Sequence, residues 1–503
     1  MARVFCYNMH RNGTLLECPN RAGKEMLEER NSPFIANNYH GGGFVDDQDC
    51  VDVQSIHFAN RFSQGARSQS KLNELSIALG GVALENEEHY TAVRAGPRSS
   101  IFFNPQTINA ALVTCGSLCP GLNDVIRAIV HKLLDYGVPE TQIFGIQGGF
   151  KGFYDKRRKP IILKRDMVDS IQLEGGTLLG TGGSTEEPDI KEIVKRLDLN
   201  KIDFLFVIGG PGSFKGALGI QHGCQENRVP CSIIAVPKSI DNDILLVDKT
   251  FGFETAVEEA QKPLMAAKVE ASSGYRGVGL VKLMGRRSGF IAVSASLASG
   301  LVDICLIPEV PYRLESVLAY LEYVLEKKGH AVICIAEGAG EGLMDVDSTD
   351  KPKTGRGSID DPSMTGTLDI GAWLKAKIIS NLHDVDVKYI DPSYLIRSVQ
   401  ATATDRVYCK ILANSVVHAA FAGYTGCTAG LVNTHFVYLP ISTVIKSRRH
   451  VDPHGELWNR LRSSIGQPNF AEEVPLGGYV AAHSGSVTPQ KSDTYTPTSK
   501  YRP

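Results

Sequence analysis

Lys238, Asp241 and Asp243 fall within the segment PKSIDND, directly after the apolar run Ile233–Val236. Two carboxylates beside a cation suit phosphoryl transfer. One takes the proton of an attacking hydroxyl, and the other helps to hold Mg²⁺. The same residues also suit a capped turn with a surface ion pair, so this segment alone leaves both readings open. A second group lies in IGGPGSFKGA, where Gly212 lets backbone approach a diphosphate and Ser213 can donate to it. The segment lacks the G-x-x-x-x-G-K-[ST] spacing of a P-loop, which argues against a P-loop NTPase. Arg286 follows an apolar run in MGRRSG and Glu337 follows another in AEGAGEG, while Tyr394 and Arg397 stand three apart in YIDPSYLIR. Arginine for a phosphate, a carboxylate for hydroxyls and an aromatic ring together suit a phosphorylated sugar. Taken singly, each also reads as an ion pair at a helix end.

Such residues need a frame that brings them to one place. Short apolar runs at Ala110–Val113, Phe204–Ile208, Ile233–Val236, Val278–Leu283 and Ala331–Ala336 are each followed by a Gly/Pro/Asp loop and then a helical pattern. Strands alternating with helices predict βαβ units and mainly parallel sheets, an α/β fold. The first helix is the plainest. Leu122, Val125, Ile126, Ile129, Val130, Leu133 and Leu134 form one stripe of a 3.6-residue period, which Gly137 ends. Loops at the carboxyl ends of parallel strands meet in one crevice. There the free N–H groups of helix N-termini favour phosphate.

The 503 residues are 43% hydrophobic and 21% charged, enough to bury a large core. Fifty-five acids nearly cancel 53 bases, so no global field draws the chain to nucleic acid or membrane, and none is expected as a partner. Eleven scattered cysteines read as reduced thiols, and with no signal peptide in sight they suggest the cytoplasm; no Cys/His set completes a zinc site. The first ~85 residues, with the acids Asp46, Asp47 and Asp49, read as a loose extension, and the Ser/Thr/Pro-rich end as a flexible tail.

The ordered motifs CGSLCPGLNDVIR, GGTLLGT, IGGPGSFKGA, PKSIDNDI, VKLMGRRSGF, AEGAGEG and KYIDPSYLIR resemble the 6-phosphofructokinases, in particular the plant and kinetoplastid ATP-dependent branch. The resemblance runs from about residue 94 to about residue 470. It implies two Rossmann-like αβα lobes: a nucleotide lobe over 98–253 plus about 405–470, and a sugar-phosphate lobe over 254–404, flanked by an extension at 1–97 and a tail at 471–503. It implies transfer of the ATP γ-phosphoryl group to the 1-hydroxyl of fructose 6-phosphate, with Mg²⁺, in a homotetramer. Carried over residue by residue, it makes Asp241 the general base with Lys238 beside it. Ser239, Ile240, Asp241, Met284, Gly285, Arg286, Glu337, Tyr394 and Arg397 then take the sugar phosphate. Gly116, Ser117, Gly183, Ser184, Gly212 and Ser213 line the ATP side, and Asp243 is the remaining candidate for the metal.

Three positions depart from the family's motifs. Ser117 replaces a Gly of CGGLCPG, Gly183 stands where GTSRGG has its Arg, and Pro211 replaces the Asp of GGDGT that holds Mg²⁺. All three fall on the nucleotide side. Two readings follow: an ATP-dependent enzyme with an altered nucleotide loop, or a catalytically weak or inactive fructose 6-phosphate-binding subunit that assembles with an active phosphofructokinase.

Overall fold

The computed structural model describes residues 29–35, 43–53, 90–182, 187–340, 343 and 369–472, with the short strands Thr14–Leu15 and Asn20–Arg21. Eleven strands build the two main sheets. They are β1 (Ala110–Thr114), β2 (Ile143–Ile146), β3 (Ile161–Ile162), β4 (Phe204–Gly209), β5 (Ser232–Pro237), β6 (Gly277–Leu283), β7 (Ile304–Leu306), β8 (His330–Ala336), β9 (Asp386–Ile390), β10 (Cys427–Val432) and β11 (His435–Pro440). The first sheet has the order β11-β10-β5-β4-β1-β2-β3; its β10–β11 hairpin and its β2–β3 edge are antiparallel and the rest is parallel. The second has the order β7-β8-β6-β9 and is parallel throughout.

The central strands are unbroken apolar runs because both faces are covered. In β4, Phe204, Phe206 and Ile208 point to one core and Leu205 and Val207 to the other. That is the two-residue alternation of a strand. Helix α1 (Leu122–Tyr136) packs on the first face together with α9 (Ala403–Phe421). Helices α2 (Ile190–Leu199) and α3 (Pro211–Glu226) cover the second. In the other lobe, Val278 and Leu280 of β6 face the core shared with α6 (Leu314–Lys328) and α7 (Ile370–Asn381). Val281 and Leu283 face α4 (Phe253–Ser273) and α5 (Phe290–Ser299) instead, in a core continuous with that of the first lobe. The two lobes therefore share buried surface, as well as three crossings of the chain.

Where the stretch before residue 97 is described, it is seated on the first lobe rather than loose. Phe34 packs edge-on against Tyr136 at 4.8 Å. Asp47 pairs with Arg98 at 3.2 Å and accepts from the Tyr424 hydroxyl. Strand Tyr90–Val93 pairs with Cys50–Asp52 and lies along β11, with Arg94 bridging Val437. These pieces are too short to show a period, and their partners lie up to 377 residues away. The Ser/Thr/Pro-rich tail lies outside the described residues.

The last helix, α10 (Glu456–Ile465), departs from the expected division, because it packs on α5 of the second lobe. Behind it Gln467 accepts from Cys305 N at 2.7 Å and donates to Cys305 O at 3.0 Å, closing the edge strand β7. The loop before α2 is also pressed on the second lobe: a Cβ at Gly175 would lie 1.8 Å from the Ser398 carbonyl oxygen. Gly175→Ala should therefore cost about 1–3 kcal/mol of stability, read as a lower denaturant midpoint at unchanged slope.

Candidate active site

The crevice lies at the carboxyl ends of the parallel strands. After β5 the chain enters a loop that returns to its start, where Lys238 bridges Phe251. Lys238 is buried, its Nζ donates to the Ser117 carbonyl at 2.6 Å, and burial lowers its pKa. The loop is tightly hydrogen-bonded. Ser239 Oγ donates to Asp243 at 2.5 Å and accepts from Asp241 N at 3.2 Å. Asn242 adopts φ of 56°, a left-handed conformation that Asn tolerates, and its Oδ1 accepts from Thr250 N at 3.0 Å. Thr250 Oγ1 donates back to the Ser239 carbonyl at 2.5 Å.

Asp241 is the exception in this loop. Its Oδ1 is buried and has no hydrogen-bond partner. Burial, with the charges of Asp243 and Glu337 beside it, pushes its pKa up to about 8 against the pull of Arg448 and Lys238. A carboxylate with a free oxygen and raised proton affinity is the chemical profile of a general base.

The second lobe supplies the opposite wall. Gly285 adopts φ of 130°, and a Cβ there would lie 2.4 Å from the Ser288 carbonyl, so the turn before Arg286 needs glycine. Glu337 N donates to the Leu283 carbonyl at 2.9 Å, and Gly338 abuts the Arg286 carbonyl at a distance no Cβ could share. This brings the MGRRSG and AEGAGEG loops together. Burial raises the pKa of Glu337, opposed by the charges of Lys282, Arg286 and Arg397. Ser288 Oγ donates to the Asp241 carbonyl at 3.0 Å, joining this wall to the Asp241 loop. Arg397 ends the short helix α8 (Ser393–Arg397), with its guanidinium 5.3 Å from the Tyr394 ring. Its charge acts on both Glu337 and Lys238.

On the nucleotide side, Gly116 adopts φ of 80° and Ser117 is exposed. Gly210 caps α3, and Pro211 is its first residue. Proline is tolerated there because that N–H has no partner within the helix, but one donor and one carboxylate are lost where phosphate would approach. A Cβ at Gly212 would meet no atom within 4 Å, so the approach to the N–H groups that remain is open. Ser213 folds back over Gly209, the last residue of β4.

Lys238, Asp241, Arg286, Glu337 and Arg397 thus lie near one another. Ile240 is buried against Gly252, and Met284 packs half-buried against the core. Tyr394 is 68% exposed. Gly183 and Ser184 lie outside the described residues. Asp243 does not stand as a metal ligand. It is buried, with one oxygen taken by Ser239 and the other by Arg448 Nη1 at 2.9 Å. With Pro211 in place of an acid, and no group of three His, Cys, Asp or Glu positioned for a metal among the described residues, those residues do not fit a protein-held Mg²⁺.

Sequence reading missed Arg448, Arg449 and His450, which reach this site from beyond β11. Arg449 N donates to the Asp243 carbonyl at 3.0 Å, and His450 Nδ1 contacts the Arg287 carbonyl at 2.8 Å. The run SRRH carried the only available signal, and a basic run by itself reads as a solvated turn.

Two α/β lobes have strand-end loops converging on a buried carboxylate, two arginines and a glycine-rich helix start, an arrangement of phosphotransferase type. The phosphofructokinase family profile matches residues 109–420, and the chain belongs to that family. It is 48% identical over 384 residues to ATP-dependent 6-phosphofructokinase 5, chloroplastic, of Arabidopsis thaliana, spanning 75% of this chain and 69% of the relative. It is 40% identical over 377 residues to the ATP-dependent 6-phosphofructokinase of Trypanosoma brucei brucei, spanning 73% and 75%. Among solved structures, pyrophosphate-dependent phosphofructokinase from Marinobacter aquaeolei superposes with a TM-score of 0.58 at 19% identity, over 73% of this chain and 92% of that one. That likeness supports the fold.

Proposed function

We propose that this crevice binds fructose 6-phosphate and transfers to it the γ-phosphoryl group of ATP. The 1-hydroxyl oxygen forms the new bond to phosphorus, ADP leaves with the electrons of the broken bond, and the hydroxyl proton passes to Asp241. Arg286 and Arg397 offer charge to the sugar phosphate and Glu337 accepts from its hydroxyls. The observation that carries this reading is the unpartnered buried Oδ1 of Asp241, in a loop where Asn242, Asp243 and Thr250 are all paired.

The raised proton affinity of Asp241 sets an expected pH profile. Below pH 8 the base is mostly protonated, so kcat/KM should rise by about tenfold per pH unit and level off above about 8. Initial rates between pH 6 and 9.5 check this, and a profile flat from pH 6 upward contradicts it. Arg286→Ala should weaken fructose 6-phosphate binding by about 10–100-fold, read by titration calorimetry without any need for turnover.

A second reading is favoured by Pro211 at the head of α3 and by Ser117 exposed at the first loop. In it the chain is a catalytically weak sugar-phosphate-binding subunit of a larger phosphofructokinase assembly. The deciding experiment is fructose 1,6-bisphosphate formation by the purified chain, with ATP and separately with diphosphate. Turnover supports the first reading; no turnover with either donor, while fructose 6-phosphate still binds, supports the second. We propose a reducing compartment, with the cytoplasm the first choice, on the nine free cysteines among the described residues.

A further inference from the structure

The segment Arg448–Val451 follows the short helix Ile441–Val444 and precedes α10, so it is where the chain crosses from the first lobe to the second. The contacts of its four successive residues pass from the first lobe to the second. Arg448 Nη1 pairs with Asp243 at 2.9 Å, and Asp243 in turn holds Ser239, which accepts from the N–H of Asp241. Arg449 works in both directions. Its Nη1 donates to the Asp248 carbonyl of the first lobe at 2.9 Å, while its guanidinium lies 4.8 Å from the ring centroid of Phe290 at the start of α5 in the second. His450 contacts the carbonyl of Arg287, next to the sugar-side Arg286. Val451 N donates to Glu309 at 2.8 Å, and both oxygens of that carboxylate also accept from Gly289 N, at 2.9 and 3.0 Å.

Every contact runs to one of two loops or to the residue that braces it. One loop carries the base Asp241 and the other carries Arg286. Between the loops themselves, Ser288 Oγ donates to the Asp241 carbonyl. A general base acts only within hydrogen-bond reach of its proton, so its position against the sugar phosphate has to be held to a fraction of an ångström. We propose that Arg448–Val451 is a positioning strap that fixes the Asp241 loop against the Arg286 loop, with Arg449 as the pivot joining the two lobes.

This inference rests on the sugar-phosphate reading for its substrate but not for its geometry. The test compares the full chain with Arg449→Met and Arg449→Lys. Methionine keeps the apolar stem and loses the donor and the charge over Phe290. Lysine keeps a donor and a cation. Two quantities are read: amide hydrogen exchange across the chain, and the affinity for fructose 6-phosphate by titration calorimetry. In Arg449→Met, exchange should quicken by about tenfold in both 239–250 and 286–290, with α1 unchanged, and sugar-phosphate affinity should fall by about tenfold. Arg449→Lys should recover most of both.

Faster exchange confined to one lobe overturns the strap, as does a lysine variant no better than methionine or an affinity unchanged within about twofold. If the unmodified chain itself does not bind fructose 6-phosphate, the functional reading falls, and the exchange pattern still decides whether the strap couples the two loops. Should Arg449→Met fail to fold, the lysine variant together with His450→Gln, which removes only the Arg287 contact, carries the same comparison.

Discussion

Asp241→Asn should lower phosphoryl transfer by about 10²–10⁴-fold and at the same time stabilise the fold at alkaline pH. The two effects share one cause. The Asp241 carboxyl is held at the crevice with a free oxygen, and burial, Asp243 and Glu337 make its charged form costly, raising its pKa to about 8. In the unfolded chain the same group ionises near its ordinary value of 3.8. Its folded-state pKa therefore lies above the unfolded one. The favourable contribution is complete below about pH 4 and is lost as pH rises through about 8. Asparagine keeps the shape and carries no charge, so it removes the penalty. The melting temperature of the variant should exceed that of the parent by a margin that widens between pH 5 and 8 and then holds. Thermal unfolding at pH 6 and 9, beside initial rates, measures both halves. A melting difference equal at the two pH values contradicts the electrostatic account, and activity retained in the variant removes Asp241 from the role of base.

The second large effect is expected on the nucleotide side, in the combined variant Ser117→Gly, Gly183→Arg and Pro211→Asp. Each change puts back a group that the family's motifs carry at that position. Restoring one electrostatic stabiliser of a transition state is worth about 10²–10³ in rate. Residues acting as a unit do not multiply, so the triple variant should gain about 10³-fold in ATP-dependent turnover rather than the full product. The fold tolerates two of these changes for visible reasons. Ser117 is exposed, and position 211 opens a helix, where an acid is favourable by about 0.3–1 kcal/mol. An increase in ATP turnover with unaltered fructose 6-phosphate affinity is the expected result. An unmodified chain already turning over at an ordinary rate of ~10 s⁻¹ would show that other groups do the work of the missing ones.

Much of this protein can be read along the chain. The apolar runs that became β1, β4, β5, β6 and β8 were legible because a parallel strand covered on both faces must be apolar throughout. Helix α1 was legible to its last turn, since its stripe faces one core and Gly137, at φ of 95°, ends it. Lys238, Asp241, Arg286 and Glu337 were legible because strand-end loops hold them, and Arg397, at the end of a short helix, because its motif is local.

What the tertiary structure alone decided is the pairing of residues far apart in sequence. Asp243 looked free for a metal until Arg448, 205 residues away, took its carboxylate. The pieces around Phe34 and Asp47 looked loose until Tyr136, Arg98 and Tyr424 gave them partners. The raised proton affinity of Asp241 comes first from burial, then from Asp243, with Glu337 of the other lobe adding to it. Periodicity and capping are short-range and leave a mark in adjacent residues. Charge pairing and burial depend on distance in space, and the fold sets that distance only once the strands have chosen their neighbours.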